Sequence, residues 1–401
     1  MRSFARAQAA EPGPAPQPGL IVKPRADAPS AAVRAADEGP GAVSKAFTSV
    51  QTAVRWAING PSVPEWKTRE VVNDPDTRWA DAATLRNATA ALATRKPEEE
   101  AALAKLGARA ADYTTLATAC GKDLPAKHAL QSLLLDGRLT QKDLKGGADA
   151  LAHLSRIAAQ PLAPGLDRTE LLTNLLEEME NPTKISQEGK GTCVATTATI
   201  VLARKSPAEY ARLIADLAKP EGQATLKNGK AITRHTDWNN TNDSGRTPSL
   251  RLLQPALMEF GNFFMHYDND RDRHTLETKY SGVWASIKES WGNMRRKLSI
   301  PGGLESHGSN KILEGLTGDD YKAVGMVTRL NRNATWDRMV AATQAGKSVP
   351  CGLNWEGGGH KILLDKVENG FAYYTNPWGS AERMTVAEFK GNLTDANLPR
   401  S

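Results

Sequence analysis

The chain has 401 residues, 40% apolar and 24% charged, an ordinary globular balance with length for a sizeable core and two or three domains. Its 51 basic and 45 acidic residues are interspersed, so the net charge of +6 marks a mildly basic surface and no nucleic-acid-binding tract. Three scattered cysteines, Cys120, Cys193 and Cys351, do not make a disulfide framework, and no Cys/His grouping has zinc spacing, so no metal or cofactor is expected.

Residues 1–46 are rich in Ala, Pro and Gly and poor in bulky apolar side chains. Such a segment buries too little surface to offset the entropy of ordering, and a disordered tail is expected. Its opening, "MRSFARAQAAEPGPAPQPG", lacks the apolar centre of a secretory signal. The expectation is a protein that stays in the cytoplasm or is exported without such a signal. No run is long enough to span a bilayer.

Residues 47–180 read as an α-helical region. Pro97 followed by Glu98, Glu99 and Glu100 is a helix start, with Leu103 and Leu106 at helical spacing. Leu151, Leu154 and Ile157 form one apolar stripe; Leu171, Leu172, Leu175 and Leu176 form another, with Asp167 and Glu170 as its cap. In "LLLDGRLTQKDL", Asp136 and Asp143 fall at positions of a calcium loop, but Ser132 and Leu134 stand where its first carboxylates belong. A tight helix–turn–helix is expected there instead.

Residues 181–401 mix helix and strand. "SPAEYARLIADLA" begins with Ser206 as N-cap, Pro207 at the first position and Glu209 as capping-box partner. "ATLKNGKAIT" predicts a hairpin about Asn228-Gly229. "SLRLLQPALMEFGNFF" predicts a helix with a possible kink at Pro255, and "TWDRMVAATQAG" one ended by Gly346. "HTDWNNTNDSGRT" and "YDNDRDRHT" read as a mobile and a solvated loop. Then come the strand "SVPCGLNW", a hairpin "HKILLDKVENGFAYYTNPWG" turning at Asn369-Gly370, and "RMTVAEFKGNL", a strand running into a helix capped by Thr385 with Glu388. Helices first and strands later give an α+β fold.

Cys193 opens an uncharged run after "QEGKGT" and predicts a thiol at a helix N-terminus, a place that favours the thiolate. An acyl-transfer site needs a base beside it, a group orienting that base, and donors for an oxyanion. His128 and His153 fall in amphipathic helices, and His235, His266, His274 and His307 in polar stretches. His360 follows "EGGG" and opens an apolar strand. Asn376 lies across the predicted hairpin from it, and Gln187 lies six residues before Cys193, where its amide can join the Cys193 N–H as an oxyanion donor. Cys351, in an apolar strand, reads as a core thiol.

"QEGKGTC", "GGGHKILL" and "NPWG", in this order, resemble the Gln, Cys, His and Asn motifs of papain-like cysteine proteases, with "NPWG" similar to the calpain branch. Val194 stands where that family usually has Trp. The resemblance covers roughly residues 181–396. It implies a two-lobed fold, with Cys193 as nucleophile, His360 as general base and acid, Asn376 as the residue orienting it, Gln187 as oxyanion donor and Trp378 as a shield over the His–Asn bond. The implied activity is peptide-bond hydrolysis on a protein or peptide substrate. Folds of this kind also carry transferase or deamidase chemistry on protein glutamine, and an inactive binding module is a further alternative.

Overall fold

The computed structural model describes residues 67–72, 89–240, 245–262, 265–275, 299–301, 303–355 and 358–400. The expected disordered tail, 1–46, lies outside them. Helices described in the early part include α1 (Lys96–Leu106), α2 (Ala110–Ala119), α3 (Leu124–Leu135), α4 (Ala150–Ala159) and α5 (Arg168–Glu180). The caps explain where they start. Asp123, Asp149 and Asp167 each accept the backbone N–H three residues on, at 3.0, 3.0 and 2.8 Å. Both leucine stripes are buried.

Next come α6 (Cys193–Lys205) and α7 (Pro207–Leu217). Ser206 caps α7 by accepting the Glu209 N–H at 3.2 Å, but the Glu209 carboxylate turns to Arg212 instead of closing a capping box. The short hairpin β2 (Gln223–Thr225) and β3 (Ala231–Thr233) turns at Asn228-Gly229 as expected. α8 (Pro248–Gly261) continues through Pro255. β4 (His266–Asp268), β5 (Arg273–Thr275) and β6 (Ser299–Pro301) form a small antiparallel sheet, and α9 (Ser306–Thr317) ends at Gly318 with φ 70°. One apolar core runs from Tyr113 in α2 to Tyr321 and takes in Cys193. The boundary expected at residue 181 is therefore no break in packing.

The chain closes with β7 (Tyr321–Val324), α10 (Arg332–Gln344), β8 (Val349–Trp355), β9 (Gly358–Glu368), β10 (Phe371–Asn376), β11 (Ser380–Thr385), α11 (Val386–Asn392) and β12 (Leu393–Pro399). The β9–β10 turn holds Asn369 at φ 50° and Gly370 at φ 80°, the positive pair that a primed hairpin turn requires. An early segment, β1 (Glu70–Val71), pairs with β11. The seven strands run antiparallel in the order β1-β11-β10-β9-β8-β12-β7. The fold is thus mixed α and β. The placement of β1 corrects the all-helical reading of 47–180: Thr68, Glu70 and Val72 bond to groups on α11 and β11, and no local pattern reveals a pairing so distant in sequence.

Side chains alternate across the sheet. Cys351, Leu353, Ile362, Leu364 and Tyr374 pack with Trp336 of α10 and Phe389 of α11. Leu363, of opposite parity, belongs to the core that contains α6. The sheet therefore carries helices on both faces. Among the described residues no helix is long and apolar enough to cross a membrane.

Candidate active site

Cys193 is the first residue of α6, ten of whose 13 residues are buried. The turn before it is held from two sides. Gly191 N–H donates to the Asp272 carboxylate at 2.6 Å, and Tyr267 OH donates to the same carboxylate at 2.6 Å. The Lys190 ammonium reaches the Asn269 carbonyl at 2.8 Å. These contacts overturn the solvated-loop reading of "YDNDRDRHT": Tyr267, Asn269, Asp272 and His274 are buried, and the turn before Cys193 supplies partners to the Asp272 carboxylate and the Asn269 carbonyl. In the neighbouring stretch Trp238 and Arg246 are buried as well, Arg246 donating to Asn269 at 2.8 Å, so the described part of "HTDWNNTNDSGRT" is packed and not a mobile loop.

Gln254 of α8 completes the clamp. Its amide donates to the Ser186 carbonyl at 3.1 Å and accepts from Thr192 Oγ1 at 2.8 Å. Thr192 is the N-cap of α6, yet its hydroxyl makes no capping bond. The first-turn N–H groups of α6 are thus not covered by the cap side chain. Helix N-termini carry unpaired donors and a positive partial charge, so an anion formed at Cys193 or at a bound carbonyl would be favoured there.

Cys193 is 7% exposed. It lies against the backbone N–H of Lys361, and burial pushes its pKa up while that N–H and the Lys361 charge pull it down. The Lys361 N–H belongs to the peptide that joins His360 to Lys361. Thr197 Oγ1, one turn along α6, donates to the Lys361 carbonyl at 3.3 Å, so α6 docks on β9 at this residue. Lys361 itself is buried and ion-paired with Asp395.

His360 Nε2 lies 2.9 Å from Asn376 Oδ1. The same Oδ1 accepts the Trp378 N–H at 3.2 Å, and Asn376 Nδ2 donates to Glu382 Oε1 at 2.9 Å. With an N–H on one side and a carboxylate on the other, the amide can sit only one way round. Its oxygen faces the imidazole, so Nε2 carries the proton and Nδ1 keeps its lone pair. Trp378 stacks on the ring, with centroids 4.4 Å apart and planes 24° apart, and Trp355 packs at 4.9 Å. Burial in this aromatic surround lowers the His360 pKa to about 4. Thiol and imidazole are therefore both neutral near pH 7.

Gln187 is buried beside this cluster. Its backbone N–H donates to the Pro377 carbonyl at 2.7 Å, and Ser186 bridges Trp378. Its side-chain amide, expected as an oxyanion donor, donates to the Lys190 carbonyl at 2.6 Å, leaving one of its two N–H bonds uncommitted and its Oε1 without a partner.

The expected residues thus fall into two groups that touch. His360, Asn376 and Trp378 form one bonded and stacked cluster, with Gln187 tied to it through the backbone. Cys193 meets that cluster at the His360–Lys361 peptide. No hydrogen bond joins the thiol to the imidazole, and the Lys361 and His360 side chains leave β9 on opposite faces close to the strand's start. Cys120 and Cys351 are buried core thiols; burial pushes Cys120 up to about 11 and Cys351 further. Asp136 bonds Arg138 and Asp143 bonds His153, so neither carboxylate is free for a cation. A groove of about 580 Å3 lined by Glu99, Tyr113 and Lys127 lies in the helical region, and none of the four expected site residues lines it.

Four further residues hold the site and escaped the sequence reading: Asp272, Gln254, Glu382 and Arg69. Glu382 carries a usable signal, since it shares strand parity with buried Met384. Compared with known proteins, the chain matches no family model and no curated relative.

Proposed function

We propose that this chain is a cysteine-type peptidase with a papain-like pair of lobes, the Cys193 helix in one and the His360 strands in the other. One observation carries the reading: a thiol at the head of a buried helix rests on the peptide of a histidine whose ring is held by an asparagine. Nδ1 of His360 would take the thiol proton, and the sulfur would attack the carbonyl carbon of a protein or peptide substrate. The oxyanion would sit at the α6 N-terminus, against the Cys193 N–H and the remaining N–H of Gln187. The imidazolium would then protonate the leaving amine, and water deprotonated at Nδ1 would cleave the thioester.

Because both groups rest neutral and not bonded to each other, this chemistry needs thiol and imidazole to be brought together on substrate binding; site hydrogen bonds commonly tighten only in the complex. The test is incubation of the full chain and of Cys193→Ala with a mixture of unfolded proteins, read by mass spectrometry. New peptide termini in the first and none in the second are expected. A mass gain of about one dalton on glutamine would mark deamidation instead, and unchanged proteins would remove the hydrolase reading.

A further inference from the structure

Glu382 is 1% exposed and accepts five hydrogen bonds. Arg69 Nε and Tyr374 OH donate to Oε2 at 2.7 and 2.8 Å. Arg69 Nη2, Asn376 Nδ2 and Ser380 Oγ donate to Oε1 at 3.0, 2.9 and 2.7 Å. A buried carboxylate persists only when paired and fully bonded, and the two-pronged guanidinium supplies the balancing charge. Arg69 also lies over the Trp355 ring, 4.9 Å from its centroid, and Trp355 packs on His360. Burial works to raise the Glu382 pKa, but Arg69, Ser380 and Tyr374 outweigh it and hold the carboxyl below its ordinary range.

We propose that Glu382, balanced by Arg69, is a positioning residue that sets which way the Asn376 amide faces and therefore which nitrogen of His360 carries the proton. An amide between an imidazole and a carboxylate has two orientations. With an acceptor-only group on the far side, Nδ2 must point there and Oδ1 must point to His360. The ring then holds its proton on Nε2 and leaves Nδ1 as a base. Without the carboxylate, the Trp378 N–H at 3.2 Å still draws Oδ1 but Nδ2 loses its acceptor; the amide can then turn its NH2 to the ring, which would move the imidazole proton to Nδ1 and remove the base. The link to catalysis rests on the peptidase reading above; the link to the tautomer does not.

The experiment therefore has two readouts on the full chain. The first is the 15N spectrum of histidine-labelled protein near neutral pH, with the His360 signals assigned by their loss in His360→Gln. The expected wild-type pattern is protonated Nε2 and bare Nδ1. Glu382→Gln is nearly isosteric, but its NH2 must face donors whichever way it sits, and it should split the ring between tautomers. Arg69→Met/Glu382→Leu replaces the ion pair with apolar groups, protects the fold against an unpaired charge, and should shift the ring further the same way. Glu382→Asp keeps an acceptor-only carboxylate and is expected to restore the wild-type pattern. The second readout is iodoacetamide alkylation of Cys193, expected to slow about tenfold in both carboxylate-free variants. An unchanged Nε2–H tautomer in a folded Glu382→Gln or double variant overturns the proposal. A shifted tautomer with unchanged alkylation upholds the positioning role and counts against the peptidase reading.

Discussion

His360 is a base held neutral by its surroundings, and this has a consequence for stability. Its ordinary pKa of 6.5 falls to about 4 in the fold. Between those values the unfolded chain binds more protons than the folded one, so stability is full above pH 6.5 and is lost as pH falls toward 4. The difference amounts to about 3 kcal/mol for this group. Urea midpoints at the two ends of that window should differ more for wild type than for His360→Gln; equal differences would contradict the buried neutral ring. For activity, His360→Ala should lower turnover by about 10²–10⁴. Asn376→Ala should lower it less, because the ring can still visit the right orientation, and steady-state rates on one peptide substrate separate the two. The His360–Asn376 bond and the place of Cys193 at a helix start were legible because each stands in a short local pattern: a thiol after glycines, a histidine opening an apolar strand, and an asparagine across a hairpin. Glu382 and Arg69 were not, since their meaning lies in a contact between residues 313 apart in the chain.

At the scale of elements, β1 is the least expected feature and has a clear physical role. It brings Arg69 to Glu382 and lays Thr68 against Glu388 at the start of α11. Removing one partner of a buried ion pair leaves the other charged and unpaired, so Arg69→Met should cost about 3 kcal/mol, measured by urea unfolding. Arg69→Met/Glu382→Leu should recover most of that loss. A single variant as stable as wild type would show that the strap is held by its backbone alone. Hairpins and capped helices were readable because turn residues and caps act within a few positions. The clamp on "QEGKGT" was not readable, because it joins Asp272 and Gln254 from separate elements. A run of acidic residues looks alike in sequence whether it faces water or a buried backbone N–H.

Across the whole molecule, the helical region and the Cys193 helix share one core, so they stand or fall together. A truncation starting near residue 181 strips α6, α7 and α8 of their partners in α4 and α5 and should be insoluble or melt far earlier. One starting near residue 47 should melt with the full chain, because residues 1–46 hold few groups that a core needs. Equal thermal midpoints for the two truncations would contradict the shared core. The α+β class was legible from the order of patterns, and the leucine stripes called for a partner surface in the second half, which the shared core supplies; which helices cover them was not legible, because a stripe announces a buried face without naming its cover. The central claim is that Cys193 is a nucleophile served by His360. Its most direct measurement is the rate of Cys193 alkylation by iodoacetamide in the native full chain and in His360→Ala, located by peptide mass mapping. Labelling is expected at Cys193 and not at Cys120 or Cys351, slowed strongly when His360 is removed. Labelling that ignores Cys193, or a Cys193 rate that His360→Ala leaves unchanged, would contradict it.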